Sequence, residues 1–143
     1  MCNSLKKYKS LSIKTRTELA LAENIPQEYR SYMPVDQWNV VRCYFARRAD
    51  LTPDEVATLI DDEDHVVRLC IAKRNDLNKH MVEKCVLDED PNVRHAVARN
   101  ILLNDKQREL LLKDIDELVQ LATKKGPREI RYRQRPGQAK LIK

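Results

Sequence analysis

His65, His80 and His95, together with Cys43, Cys70 and Cys85, are the residue types that could ligate zinc or pair as a thiol with its base. Their spacing supports neither. No CxxC occurs, and His80 and Cys85 stand five apart on one short helix, poorly placed to share a metal ion. Cys43 and His95 fall two repeats apart, roughly 20 Å at ordinary helix-packing distances, too far for a nucleophile and its base. Cys85 aligns with Leu59 and Leu111, and Cys70 with Tyr44 and Ala96, so both read as packing positions. The two glycines, Gly126 and Gly137, leave the first 125 residues without material for a phosphate-cradling loop. No metal, cofactor or catalytic residue is expected.

Cations carry the stronger chemical signal. Arg47, Lys73 and Arg99 recur at intervals of 26, with Arg48 and Arg74 beside the first two. On helices packed about 8–10 Å apart they would form a row able to meet phosphates or an acidic protein surface. The plainer reading is that each offsets a helix dipole and stays solvated, because the neighbouring loops bring in Asp61, Asp62, Glu63, Asp64, Asp88, Glu89 and Asp90. From Lys124 to Lys143, eight Lys/Arg stand against Glu129, a net of +7 that leaves −2 on the other 123 residues of a chain carrying +5. Within this basic tail Arg128, Arg131, Arg133 and Arg135 alternate with Ile130, Tyr132 and Gln134. Such an arm could follow a nucleic-acid backbone with Tyr132 stacked on a base, order on a protein partner, or serve only solubility.

What positions these residues is a repeat. Arg16, Arg42, Arg68 and Arg94 stand 26 apart, and the frame can be laid down from Ser12, Trp38, Asp64, Asp90 and Asp116, degenerate at both ends. In each middle copy a first helix carries apolar residues at i, i+4 and i+5: Val41, Phe45, Ala46; Val67, Ile71, Ala72; Val93, Val97, Ala98. The small column Ala20, Ala46, Ala72, Ala98 predicts close helix approach. A second, shorter helix starts at the capping residues Thr52, Asn78 and Asn104. Its apolar positions are Val56, Leu59, Ile60, then Val82, Cys85, Val86, then Leu110, Leu111, Leu112. A hairpin of this kind buries its stripe only against a neighbour. Trp38 replaces the aspartate that caps the later copies and is expected to pack, with Tyr29 and Tyr32 nearby, rather than to stand exposed as an anchor. Residues 1–11 read as a frayed lead-in, 12–125 as the repeat domain and 126–143 as an extended or disordered tail.

The run Asp88-Glu89-Asp90-Pro91-Asn92-Val93-Arg94-His95-Ala96-Val97-Ala98-Arg99-Asn100, and its counterpart Asp62 to Arg74, resemble the leucine-rich repeat variant family, a HEAT-like helical repeat. The resemblance spans roughly 12–122 and implies an all-α, right-handed solenoid of about five two-helix repeats. It also implies a ladder in which an aspartate six residues before each helix arginine ties adjacent units together: Asp36 with Arg42, Asp62 with Arg68, Asp88 with Arg94. Gln120 after Asp114 and Ser10 before Arg16 break the pattern, so the ladder is expected only in the middle copies. Some HEAT-like proteins are DNA glycosylases with aromatic-lined concave faces. Trp38 and Phe45 are the only aromatics here besides five tyrosines, which disfavours an enzyme.

No apolar run reaches the roughly 18 residues of a membrane span, and Met1-Cys2-Asn3-Ser4-Leu5-Lys6-Lys7 lacks a secretory core. The expectation is a cytoplasmic scaffold with reduced thiols and a macromolecular partner, protein before nucleic acid, and no membrane partner.

Overall fold

The computed structural model describes residues 2–143, and Met1 lies outside them. It is all-α apart from one small hairpin. The helices are α1 (Cys2–Ser10), α2 (Ile13–Leu21), α3 (Gln27–Arg30), α4 (Asn39–Ala46), α5 (Pro53–Leu59), α6 (His65–Ala72), α7 (Lys79–Val86), α8 (Pro91–Ala98), α9 (Asp105–Leu112) and α10 (Glu117–Lys125). A 3₁₀ turn covers Met33–Val35, and two short strands, β1 (Tyr132–Arg133) and β2 (Leu141–Ile142), pair antiparallel. The chain divides into two compact units: residues up to Leu59 with Tyr132–Lys143, and Ile60–Arg131. No helix is long and apolar enough to cross a membrane among the described residues.

The caps explain where the helices begin. Asp64, Asp90 and Asp116 accept from the backbone N–H groups of Val66, Asn92 and Leu118, and Asn78 and Asn104 cap α7 and α9. Thr52 and Glu55 exchange side-chain and backbone bonds ahead of α5, as Asn104 and Gln107 do ahead of α9. Gly126 ends α10 at φ +78° and ψ −172°, a region open essentially to glycine alone.

The predicted stripes are the core. In the second unit Val67, Ile71, Ala72, Val93, Val97 and Ala98 are fully buried where α6 packs on α8, and α8 in turn packs on α10. In the first unit α2 packs on α4 through Ala20, Val41, Phe45 and Ala46. Only Leu111 of the Leu110–Leu112 trio is buried. Arg108 occupies the column filled by Val56 and Val82 in earlier copies, and its Nη1 is buried without a protein partner.

The arginine ladder is present, but its pairing differs from the expected one. Arg42, Arg68 and Arg94 each donate through Nη1 to the backbone carbonyl, not the carboxylate, of the aspartate six residues before, at 2.7–2.8 Å from Asp36, Asp62 and Asp88. The carboxylates of Asp36, Asp88 and Asp114 serve the arginine 20 residues earlier. Asp88 receives Arg68 Nε and Nη2 at 2.9 and 3.2 Å, and Asp114 receives the same atoms of Arg94 at 2.8 and 3.2 Å. Six residues back along the chain the aspartate reaches the arginine by its main chain, because its Oδ1 is turned onto the N–H two residues on, at Trp38, Asp64, Asp90 and Asp116. The ladder also extends beyond the middle copies. Arg16 pairs with Asp36 in the first unit, and Gln120 keeps the carbonyl bond to Asp114 in the second.

Two terminal segments expected to be loose are ordered. Residues 2–10 form α1 instead of a frayed lead-in, because Tyr8 is buried against Tyr29 and Tyr32 and its hydroxyl donates to Asp36. Residues 132–143 are not a free tail: Ala139, Leu141 and Ile142 are buried within the first unit.

Arg68→Ala is expected to lower stability by about 2 kcal/mol, since it strands Asp88 and two carbonyls, whereas Arg47→Ala changes it by no more than about 0.5 kcal/mol. Equal thermal midpoints for the two variants would refute the ladder's role. Burial raises the Asp114 carboxyl, but hydrogen bonds from Arg94 and the Asp116 N–H, with Arg94's charge, hold it below the ordinary 3.8. Its contribution is therefore full above that value and fades as pH falls through the depressed one. The stability gap between wild type and Asp114→Asn, read from urea midpoints, should shrink below about pH 4. A gap independent of pH would refute this.

Candidate binding face

On the second unit, successive first helices repeat one outward face at i, i+3 and i+7: Val66, Leu69 and Lys73 on α6, Asn92, His95 and Arg99 on α8, Leu118, Leu121 and Lys125 on α10. Val66 is 41%, Leu118 64% and Leu121 52% exposed, and Leu69 is half-buried. Cations follow at the C-terminal ends. Acids stand at the N-terminal ends as Glu63, Asp64, Glu89, Asp90, Asp116 and Glu117, roughly 12 Å away along helices of eight or nine residues. His65 Nδ1 lies 3.8 Å from the Asp90 carboxylate on this acidic edge. The face is thus an apolar and neutral stripe between an acidic and a basic margin, with Ile115 almost wholly exposed beside it.

Two of the expected binding arginines are not on the surface. Arg48 and Arg74 are 0% and 1% exposed. Arg48 donates to the carbonyls of Ala20 and Ala22 at the end of α2, and its Nε and Nη2 clasp Asp50. Arg74 clasps Asp76 in the same way. Asn100 fills the next position of this column and donates to the carbonyls of Ala72 and Arg74, while its Oδ1 accepts from the Leu102 N–H. Arg48 and Asn100 thereby satisfy helix C-terminal carbonyls that would otherwise be buried unpaired. The signal in the sequence was the aspartate two residues after each arginine, at 50 and 76; where Leu102 replaces it, the arginine becomes asparagine.

Arg47, Lys73 and Arg99 are half-buried, and Arg99 Nε donates to Gly126 O at 2.6 Å. In the C-terminal segment Arg128, Arg131, Tyr132 and Arg135 are exposed and Arg133 is half-buried. Lys140 Nζ lies 4.4 Å over the Tyr132 ring, so one face of the ring expected to stack on a base is already covered. Trp38 is 41% exposed and makes no capping bond, contrary to the packed position expected for it. Its backbone N–H, not its ring, is held by Asp36.

The first unit contains a cleft of about 430 Å³ lined by Leu5, Tyr8, Lys9, Arg16, Tyr32, Val35, Asp36 and Gln37. Its buried polar groups are spent on one another. Asp36 takes the Tyr8 hydroxyl and Arg16, and Arg16 also donates to the carbonyls of Lys9 and Leu11. Burial, and then the bond to Asp36, push the Tyr8 hydroxyl well above its ordinary value. Such a phenol holds its proton and cannot act as a base. Among the described residues no three His, Cys, Asp or Glu converge as a metal site would.

No protein-family model matches the chain, and neither a curated protein nor a solved structure matches it.

Burial, with a smaller push from Asp88, raises the Cys85 thiol to about 12, against opposing pulls from Arg68 and Lys84. Thiolate is the reactive form, so Cys85 is expected to resist iodoacetamide at pH 8 until the chain is unfolded in urea. Labelling of native Cys85 at the rate of the unfolded chain, read by peptide mass spectrometry, would contradict this.

Proposed function

We propose that the chain is a non-catalytic helical-repeat scaffold of the leucine-rich repeat variant, HEAT-like kind, about five 26-residue copies in a right-handed solenoid, which binds a protein partner. The observation that carries this reading is the striped face of α6, α8 and α10. Its exposed leucines and valine provide apolar contact area, and opposite charges on its two margins fix a partner's orientation. A phosphate backbone would meet the acidic margin roughly one helix length from the basic one, which weakens nucleic-acid binding at this face. The resemblance of the repeats and the 26-residue recurrence of caps, stripes and ladder residues support the solenoid.

A second reading, nucleic-acid binding, draws on the exposed cations Arg128, Arg131 and Arg135. The two are separable. In pull-downs from the host, Leu118→Asp with Leu121→Asp should remove the partner while leaving helical circular dichroism unchanged. Loss on Arg131→Glu with Arg135→Glu instead, together with a mobility shift that weakens steeply with salt, would overturn the protein reading in favour of the second.

A further inference from the structure

The turns that follow α2 and α4 each offer an extended chain one carbonyl and, two residues later, one N–H. In the first unit both such pairs are filled by the chain's own last residues. Ala139 N–H donates to Leu21 O at 2.8 Å while Glu23 N–H donates to Gly137 O at 3.1 Å. Ile142 N–H donates to Arg47 O at 2.8 Å while Ala49 N–H donates to Lys140 O at 2.9 Å. Leu21 and Arg47 stand 26 apart, and Ala139 and Ile142 stand three apart. Three residues of extended chain cover about 10 Å, close to the spacing of packed helices, and the irregular residues 139–140 let donors three apart, which a regular strand would turn to opposite edges, meet α2 and α4 in succession.

Side chains complete the site. Ala139, Leu141 and Ile142 are 6%, 1% and 6% exposed, while Lys140 between them is exposed and Gln138 before them is half-buried. The strand is one arm of the hairpin with β1, and that hairpin is joined to the rest of the chain through residues 127–131, which form no regular structure.

We infer that the ends of α2 and α4 form a strand-accepting site for an extended peptide of the pattern small–x–aliphatic–aliphatic, occupied in cis by Ala139–Ile142 and open to a partner's segment of the same pattern when that strand lifts. This is main-chain recognition, with buried positions for the first, third and fourth side chains of the pattern. It lies in a different unit from the face on α6, α8 and α10 and stands or falls separately from it. The resident strand competes at the high effective concentration of a tethered ligand, so a partner gains access in proportion to how often the strand is released.

The test uses the full chain and a fluorescein-labelled peptide of residues 136–143. Anisotropy should show binding at least about tenfold tighter than that of the same peptide carrying Leu141→Asp and Ile142→Asp. Ala139→Pro in the chain removes one donor of the resident strand and leaves the acceptor groups intact, so it should tighten binding of the wild-type peptide by about tenfold or more. Hydrogen exchange on the unaltered chain keeps the inference testable if that variant fails to fold. The amides of Glu23, Ala49, Ala139 and Ile142 should exchange at least about tenfold faster than those inside α4. Protection equal to that of α4, or no peptide binding at millimolar concentration, would overturn the inference and make the strand a fixed part of the fold.

Discussion

Within each unit, an aspartate shared among three partners ties one repeat to another. Asp88 caps its own turn through Oδ1, offers its carbonyl to Arg94 and holds Arg68 with its carboxylate. An arginine so placed is bound on both sides, and sliding one repeat along another would break every contact at once. The apolar stripes supply attraction without direction; the ladder supplies the register. Its net energy is modest after desolvation, yet loss of one partner leaves a carboxylate or guanidinium partly buried and unpaired. Asp36 shows the same device at the start of the chain, where Arg16 takes the ladder role and Tyr8 joins through its hydroxyl.

A second column solves a different problem. Helices of seven to nine residues end often, and each end leaves carbonyls without intrahelical partners. Arg48 and Asn100 reach the carbonyls at the end of the helix one copy before, and the C-terminal strand takes those of Leu21 and Arg47. The buried Arg48 is here a fastener for a helix end. That use removes it from the surface and leaves the outward columns at i and i+3 of α6, α8 and α10 as the positions free to vary in chemistry. Variation is what they show: valine, asparagine and leucine in one column, leucine, histidine and leucine in the next.

Much of this was legible in the residues alone. The period of 26, the capping aspartates and asparagines and the i, i+4, i+5 stripes depend on local backbone preference and helical periodicity, which a sequence displays directly. The fate of the arginines did not follow from type and spacing. Arg68 and Arg74 stand six apart; the first was expected in the ladder and the second on the surface, yet Arg74 is the more deeply buried. A guanidinium on a flexible stem goes where acceptors converge, and the acceptors for Arg68 are 20 residues ahead in Asp88 and six behind in Asp62.

The sequence by itself determined an all-helical chain with capped, recurring helices, because those features rest on interactions between residues fewer than ten apart. Tertiary structure alone decided which aspartate each arginine holds, that Arg48 and Arg74 are buried, that Trp38 stands exposed and that residues 132–143 dock beside residues up to Leu59. Each of these depends on groups brought together from distant parts of the chain. A basic, proline- and glycine-containing C-terminus reads as disordered until the row of unpaired carbonyls it satisfies has been assembled by helices more than 80 residues earlier.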